Sequence, residues 1–274
     1  MDLLIDIGGT NTRMAVSRNG GLSEPHEFPT APDAAQAIQT ITAAARRLTS
    51  SPITRVAAAL PGLLASDRAS LTWSPNLPAW QGHPLAARLR NQLHAPVTLH
   101  NDADFAGLGE ALYGAGRGYR IVAYFTISTG IGGSRIIDGR IDDAAGGLEP
   151  GHQILDLDGT LYPEEAAPAT LEGLIGGAST ERRFRQPPKN IRDPAVWETY
   201  ARQLAAGLKN AICFWSPHII IIGGPMMRDI KLAATVRHLR TLIAPAIPLP
   251  PILPAALADN IRALRGAAVY LEHR

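Results

Sequence analysis

Short apolar runs alternate along the whole chain with longer stretches whose apolar residues recur every three or four positions. The first kind predicts buried strands and the second amphipathic helices. Their alternation predicts an α/β fold. "LLIDIG" (residues 3–8) is the first strand and "RMAVSR" (13–18) the second, with a Gly-rich turn between them. Residues 33–50 carry Ile38, Ile41, Ala45 and Leu48 at helical spacing. "ITRVAAAL" (53–60) predicts a strand ending at Pro61-Gly62, and "PLAARLRNQL" (84–93) a short helix. "PVTLH" (96–100) predicts a strand that runs into Asn101-Asp102, followed by a helix over 103–113.

The opening pattern then returns. "YRIVAYFTI" (119–127), "STGIGG" (128–133) and "SRIIDG" (134–139) repeat the order strand, Gly-rich turn, strand, so the architecture looks duplicated. Further helices are expected at 195–215 and 229–243, with "HIIIIGG" (218–224) a buried strand between them. The closing "DNIRALRGAAVYLEHR" predicts a last helix with Asp259 as its N-cap.

With 274 residues, two domains can each bury a core. Apolar residues make up 46% and charged residues 18%, an ordinary globular composition. A net charge of +2 gives no support to a nucleic-acid or membrane partner. The low-charge run over 241–258 is broken by prolines at 245, 248, 250, 251 and 254, which argues against a membrane span. No signal peptide is recognisable at the start. A soluble, cytoplasmic protein is expected. The single cysteine, Cys213, excludes an intramolecular disulfide and a cysteine-rich zinc site.

"DIGGTNTR" (6–13) carries the first chemistry. Gly8 and Gly9 permit a tight turn with exposed N–H groups, and Thr10, Asn11 and Thr12 add hydroxyls and an amide. Such a turn can hold anionic oxygens. It is not a Walker loop, because no Gly-Lys-Ser/Thr follows. Asp6, at the strand's end, suits a magnesium ion held through water. With Thr129, Gly130 and Gly132 in the second turn, two phosphate-binding turns suit a nucleoside triphosphate.

The order DIGGTNTR, PG, PNLPAW, HND, STGIGG, Glu-x-x-His, IGG resembles the ROK family, over residues 2 to about 270. That family joins sugar kinases and sugar-responsive repressors within the two-domain actin-like ATPase (ribonuclease H-like) α/β fold, which has a central cleft. The resemblance implies an N-terminal domain of residues 1–104 plus 258–274 and a C-terminal domain of 105–257. It makes Asp102 the catalytic base that accepts the sugar hydroxyl's proton. Asn101, Asp102, Glu149, His152 and Glu172 would hold sugar hydroxyls. Gly62 and Asn76 match positions along the sugar cleft, where loop shaping explains them equally well. Gly223 and Gly224 match the turn that approaches adenosine. Mg-ATP and a small-molecule sugar are the implied ligands, and a homodimer or homotetramer the implied assembly. Glucose 6-phosphorylation is the leading expectation. N-acetylmannosamine kinase, N-acetylglucosamine kinase and a catalytically silent sugar-binding member stay open. A repressor would need a DNA-binding winged helix ahead of the first strand, which begins at residue 2 or 3.

One segment departs from the family. Many members carry a zinc-binding Cys-x-Cys-Gly-x-x-Gly-Cys between the His and the last Glu. Here "QILDLDGTLYPEEAAPATL" has no cysteine, so no structural zinc is expected. Its Asp156-Leu157-Asp158-Gly159-Thr160 resembles the nucleophile motif of haloacid-dehalogenase phosphatases. The expected context is missing, since the motif does not follow a first central strand. A polar turn that shapes the loop is the expectation. "GAGRG" (114–118) lacks the strand–turn–helix setting of a dinucleotide site and is expected to be a loop.

Overall fold

The computed structural model describes residues 1–19, 21–142, 147–163 and 169–273. Along the chain run strands β1 (Asp2–Ile7), β2 (Asn11–Arg18), β3 (Gly21–Leu22) and β4 (His26–Pro29), then helix α1 (Ala34–Leu48). Next come β5 (Arg55–Leu60), β6 (Leu63–Leu64), β7 (Leu71–Trp73), α2 (Leu85–Leu93), β8 (Val97–Asn101) and α3 (Asp102–Tyr113). The middle of the chain forms β9 (Ile121–Ile127), β10 (Ile131–Ile137), β11 (Arg140–Ile141), β12 (Ile154–Asp156) and β13 (Ala169–Thr170). The last part forms α4 (Leu171–Ile175), α5 (Gly177–Phe184), α6 (Pro194–Trp215), β14 (Ile219–Gly223), α7 (Leu232–Leu242), β15 (Ile252–Pro254) and α8 (Asp259–Glu272). None of the described helices is long and apolar enough to cross a membrane.

The chain divides into two compact units. Unit 1 holds residues 1–114, 139–147 and 257–274, and unit 2 holds 115–138 and 148–256. In unit 1 the sheet order is β3-β2-β1-β5-β8, with β4 also paired to β2. β1 runs antiparallel to β2 and parallel to β5, which runs parallel to β8. Side chains alternate faces along a strand. Leu3, Ile5 and Ile7 therefore pack with α1 and α2, while Leu4 packs on the opposite face with Phe105 of α3 and Leu264 of α8. Both faces are covered, which is why β1 and β5 read as continuous apolar runs.

Unit 2 repeats this local plan. β9 runs antiparallel to β10 and parallel to β14, which runs parallel to β15. α4, α6 and α7 pack on Phe125, Ile127, Ile220 and Ile222 of this sheet. The expected duplication is therefore present in the strand pairing. In both copies the strand parallel to the first is followed within two residues by a glycine of positive φ, Gly62 (109°) and Gly224 (95°). A Cβ there would lie 2.2 Å from the Trp73 carbonyl oxygen or 2.3 Å from that of Ile127.

Three details differ from expectation. α3 belongs to unit 1, so the unit boundary falls at Gly114 and not near 104. The cause is nonlocal: α3 and α8 touch backbone to backbone. Second, Gly132 and Gly133 lie inside β10, paired with Thr126 and Phe125, so the second turn is shorter than its glycines suggest. Third, Asp259 does not cap α8. Ala258 is the cap residue, and Asp259 sits in the first turn, accepting a 2.7 Å hydrogen bond from Arg262.

The α3–α8 contact is tight because both helices put glycine at the crossing. A Cβ on Gly109 would lie 2.6 Å from the Arg262 carbonyl oxygen, and one on Gly266 would lie 1.7 Å from that of Phe105. Beside them Glu110 is fully buried and accepts from Arg262 Nε at 2.9 Å and from the Leu257 N–H at 2.8 Å. Gly266→Ala should force the helices apart and destabilise unit 1 by about 1–3 kcal/mol or more, the scale of core overpacking. Urea unfolding should show the lowered midpoint. An unchanged midpoint would show that the crossing can relax freely.

Candidate functional site

In unit 1 the expected residues gather at one end of the sheet, where β1, β5 and β8 finish. The turn between β1 and β2 closes when the Gly8 N–H donates to the Asn11 carbonyl at 2.9 Å. A Cβ on Gly9 would lie 2.7 Å from Asn76 Cβ, so Asn76 rests on this turn. Gly9 and Thr10 are exposed, and the Thr10 carbonyl accepts from the Thr30 N–H at 2.8 Å. Thr12 does not face outward with them. It is buried, and its hydroxyl lies 2.8 Å from that of Thr30, which in turn donates to the Gly8 carbonyl at 2.8 Å. Thr12 thus braces the turn from beneath.

Asn101 and Asp102 sit where β8 passes into α3. Asn101 caps the helix, its Oδ1 accepting from the Ala103 N–H at 2.8 Å, while its Nδ2 donates to the Gly62 carbonyl at 3.0 Å. One N–H of the amide is thereby used, and an amide nitrogen carries two. Asp102 is the first residue of α3 and half-buried, and its Oδ1 also accepts from the Ala103 N–H at 2.8 Å. The helix N-terminus favours a carboxylate there.

In unit 2 a second group forms around the turn at residues 128–130. Ser128 donates its N–H to the Gly130 carbonyl at 2.8 Å, and the Gly177 and Ala178 N–H groups donate to the Ser128 and Thr129 carbonyls at 2.8 and 2.9 Å. Gly132 and Gly223 flank Thr126 from its two sides in the sheet register. Glu172 belongs to this group more closely than expected. Its Oε2 accepts from the Ile131 N–H at 2.7 Å, and a Cβ on Gly130 would lie 2.5 Å from that oxygen. Glu149 and His152 bracket a short turn in which the His152 N–H donates to the Glu149 carbonyl at 3.0 Å. A Cβ on Gly151 would lie 2.3 Å from the Ile131 carbonyl oxygen, so this turn lies against the start of β10.

A cavity of about 260 Å³ opens beside the 128–130 turn. Ser128, Thr129, Ala178 and Met226 line it, with Pro188 and Lys189 at residues that carry no chemical signal in the sequence. Pro225, which follows Gly224, also lines it, so two segments expected to hold nucleotide meet at one cavity. Its walls combine apolar side chains suited to a flat ring with cations at Lys189 and Arg228.

Asp6, the penultimate residue of β1, pairs with Arg13 of β2, whose Nη1 lies 3.7 Å from its Oδ2. Arg13 also bonds Glu27 at 2.9 Å. Burial outweighs the arginine and raises the Asp6 carboxyl to about 6, with the Glu27 charge adding to the rise. A divalent cation would relieve that penalty. Among the described residues no three His, Cys, Asp or Glu side chains converge to hold a metal. Asp6 therefore fits magnesium in the manner of sites that use a carboxylate, waters and substrate phosphates.

Residues 156–162, ahead of Glu172, are held by side-chain bonds. Asp156 ends β12 in a two-stranded ribbon with β13, away from the central sheet, which removes the phosphatase context. Its carboxylate accepts from the Leu161 N–H at 2.7 Å and the Thr160 hydroxyl at 3.2 Å. Those bonds, the Leu161 N–H first, hold its carboxyl below the ordinary range against the effect of burial. Arg183 then stacks over Tyr162 at 3.6 Å and donates to the Gly173 and Leu174 carbonyls at 2.8 Å each. Glu164 and Glu165, also acidic, lie outside the described residues. The "GAGRG" stretch forms turns after α3, as expected of a loop.

A profile described as the ROK family matches residues 3–274. The chain is 32% identical over 257 residues to a glucokinase of Streptomyces coelicolor, covering 80% of each protein. It is 29% identical over 242 residues to an N-acetyl-D-glucosamine kinase of Pectobacterium carotovorum, covering 78% of this chain and 79% of that one. Among solved structures, a ROK hexokinase from Thermus thermophilus superposes with a TM-score of 0.84 at 25% identity, covering 99% of this chain and 98% of the other. A ROK glucokinase from Streptomyces griseus, in complex with glucose and AMPPNP, shares the fold with a TM-score of 0.82 at 24% identity, covering 100% and 99%.

A carboxyl raised in the folded state loses stability as the pH rises. For Asp6 the loss sets in above about pH 4, where the unfolded carboxyl ionises, and is complete above about 6. Asp6→Asn should therefore raise the melting temperature of the metal-free protein at pH 7.5 by a few degrees, on the order of 1–3 kcal/mol. Near pH 4 variant and wild type should melt together. Thermal melts across that range test it, and a variant no more stable at pH 7.5 would show that Asp6 carries no burial penalty.

Proposed function

The chain belongs to the ROK family, and we propose that it is an ATP-dependent sugar kinase acting on a hexose or N-acetylhexosamine, with glucose 6-phosphorylation as its leading activity. The observation that carries this is the meeting of the Ser128–Gly130 turn and the Gly224-Pro225 turn at one ring-sized cavity in unit 2. The glucokinase relative at 32% identity favours glucose, and the relative that acts on N-acetyl-D-glucosamine keeps the acetylated sugars as the second choice.

In unit 2 the adenine ring lies among Ala178, Pro188 and Met226, and the 128–130 turn offers N–H and hydroxyl groups to phosphate oxygens. In unit 1 the exposed Gly9 and Thr10 of the first turn offer further N–H groups to the transferring phosphoryl group. Such preorganised donors stabilise charge without reorganising during the reaction. Magnesium, held through Asp6, neutralises phosphate charge when bound. Glu149, His152 and Glu172 accept from sugar hydroxyls, and Asn101 donates the amide N–H that Gly62 does not use. Asp102 takes the proton from the attacking hydroxyl, whose oxygen needs a base only as the bond to phosphorus forms. Both substrates are found in the cytoplasm, where we place the enzyme.

Two kinetic comparisons follow. Asp102→Asn keeps the shape of the side chain and removes the proton acceptor. Sugar affinity by calorimetry should persist while kcat falls roughly 10²–10⁴-fold. Glu149→Gln should instead raise KM for sugar at least as much as it lowers kcat, because its bonds form in ground and transition states alike. An Asp102→Asn enzyme within a few-fold of wild type would place the base elsewhere. Separately, Ala178→Trp should fill the cavity and raise KM for ATP at least tenfold with KM for sugar unchanged. Unchanged ATP kinetics would remove the nucleotide from that cavity.

A further inference from the structure

A larger cavity, about 690 Å³, lies wholly within unit 1. Its size is within the usual range for small-molecule sites. β8 is the last strand of its sheet, and four consecutive residues of it, 97–100, line the cavity. Consecutive residues point to opposite faces, so the cavity wraps the unpaired edge of the strand. Leu108 of α3, residues 139–141 and the end of α8 complete the walls.

The charge of this lining is one-sided. Arg68 and Arg140 bring permanent cations, and His100 and His273 bring imidazoles. Among the described lining residues the only carboxylate is Asp67. Behind His100, Asp104 lies 3.9 Å from its ring. Arg68 is held in place at some conformational cost. Its φ is +52°, a left-handed conformation unusual for an arginine, and its N–H donates to the Ala65 carbonyl at 2.7 Å. Its Nη1 lies 2.9 and 2.8 Å from the two ring nitrogens of the buried His100. That ring is fixed between Phe105 at 4.9 Å and Tyr270 at 4.4 Å. Two arginines and the His273 imidazole lining one cavity suit a dianionic phosphate. A bare ion would leave most of the volume unfilled.

We propose that this cavity binds a small organic phosphate monoester, with Arg68, Arg140 and His273 on the phosphate, Val97, Ile141 and Tyr270 along the carbon skeleton, and His100 positioning Arg68. His100 immediately precedes Asn101, the last residue of β8, and Asp102, the first of α3, so an occupant bears on the strand that leads into the proposed base. That link to turnover rests on the kinase assignment; the binding itself does not.

The test is calorimetric titration of the whole protein with glycerol 3-phosphate and glucose 6-phosphate, beside inorganic phosphate and glucose. Each titration is run with and without saturating AMP-PNP and glucose. A monoester should bind once per chain, at least tenfold tighter than inorganic phosphate, and should persist with AMP-PNP and glucose present. Arg140→Ala, an exposed position, should weaken it at least tenfold. Arg68→Asn should do the same, asparagine being tolerant of left-handed φ. Should Arg68→Asn fail to fold, Arg140→Ala decides. Absence of monoester binding, binding that survives both substitutions, displacement by AMP-PNP, or equal affinity for inorganic phosphate would each overturn the proposal. A protein that phosphorylates no sugar yet binds the monoester would keep this site and lose only the kinase assignment.

Discussion

Unit 1 depends on the crossing of α3 and α8. Gly109 and Gly266 let the two backbones meet, and Glu110 and Arg262, 152 residues apart in sequence, are buried there as an ion pair. A buried pair of this kind adds little net stability over apolar packing, but breaking one partner is costly. Here the pair is part of a wider set of bonds. Glu110 also accepts from the Leu257 N–H, and Arg262 also donates to Asp259 and to the Leu257 carbonyl. The pair therefore fixes both where the chain re-enters unit 1 and how α3 lies on the sheet. Asp102 is the first residue of α3, so it rides on the helix that this crossing places.

The rest of the molecule applies one local plan twice. A strand turns back through glycines into an antiparallel partner, and a parallel neighbour is followed by a positive-φ glycine packed against a carbonyl. In unit 1 this leaves Gly9 and Thr10 exposed beside Asn76 and brings Gly62 to Asn101. In unit 2 it brings Gly224 to Ile127 and the 128–130 turn to the start of α5. Residues 156–162, ahead of Glu172, are held differently, by Asp156 on its own turn and by the stack of Tyr162 under Arg183 of α5.

Much of this was legible in the sequence because the signals are local. Continuous apolar runs marked β1, β5, β9 and β14, and the glycines marked the turns between strands. What escaped was nonlocal. The side of the unit boundary on which α3 falls is decided by Gly266, far along the chain. The inward role of Thr12 needs Thr30 across the sheet, and the bond from the Ile131 N–H to Glu172 joins segments 41 residues apart. Ala178, Pro188 and Met226 line the unit 2 cavity through shape alone, and residue type announces nothing about them. Asp259 missed its cap by one position because Ala258, without a side-chain acceptor, takes the extended conformation of the cap.

The kinase assignment is tested most directly by following phosphorus. Purified protein, Mg-ATP and each of a panel of hexoses and N-acetylhexosamines would be incubated together and examined by phosphorus NMR. The expected result is a sugar phosphate monoester at the primary hydroxyl, formed with stoichiometric ADP, strongest for glucose and absent without magnesium. Binding of ATP and sugar with no sugar phosphate from any member of the panel would contradict it and leave a silent sugar-binding protein.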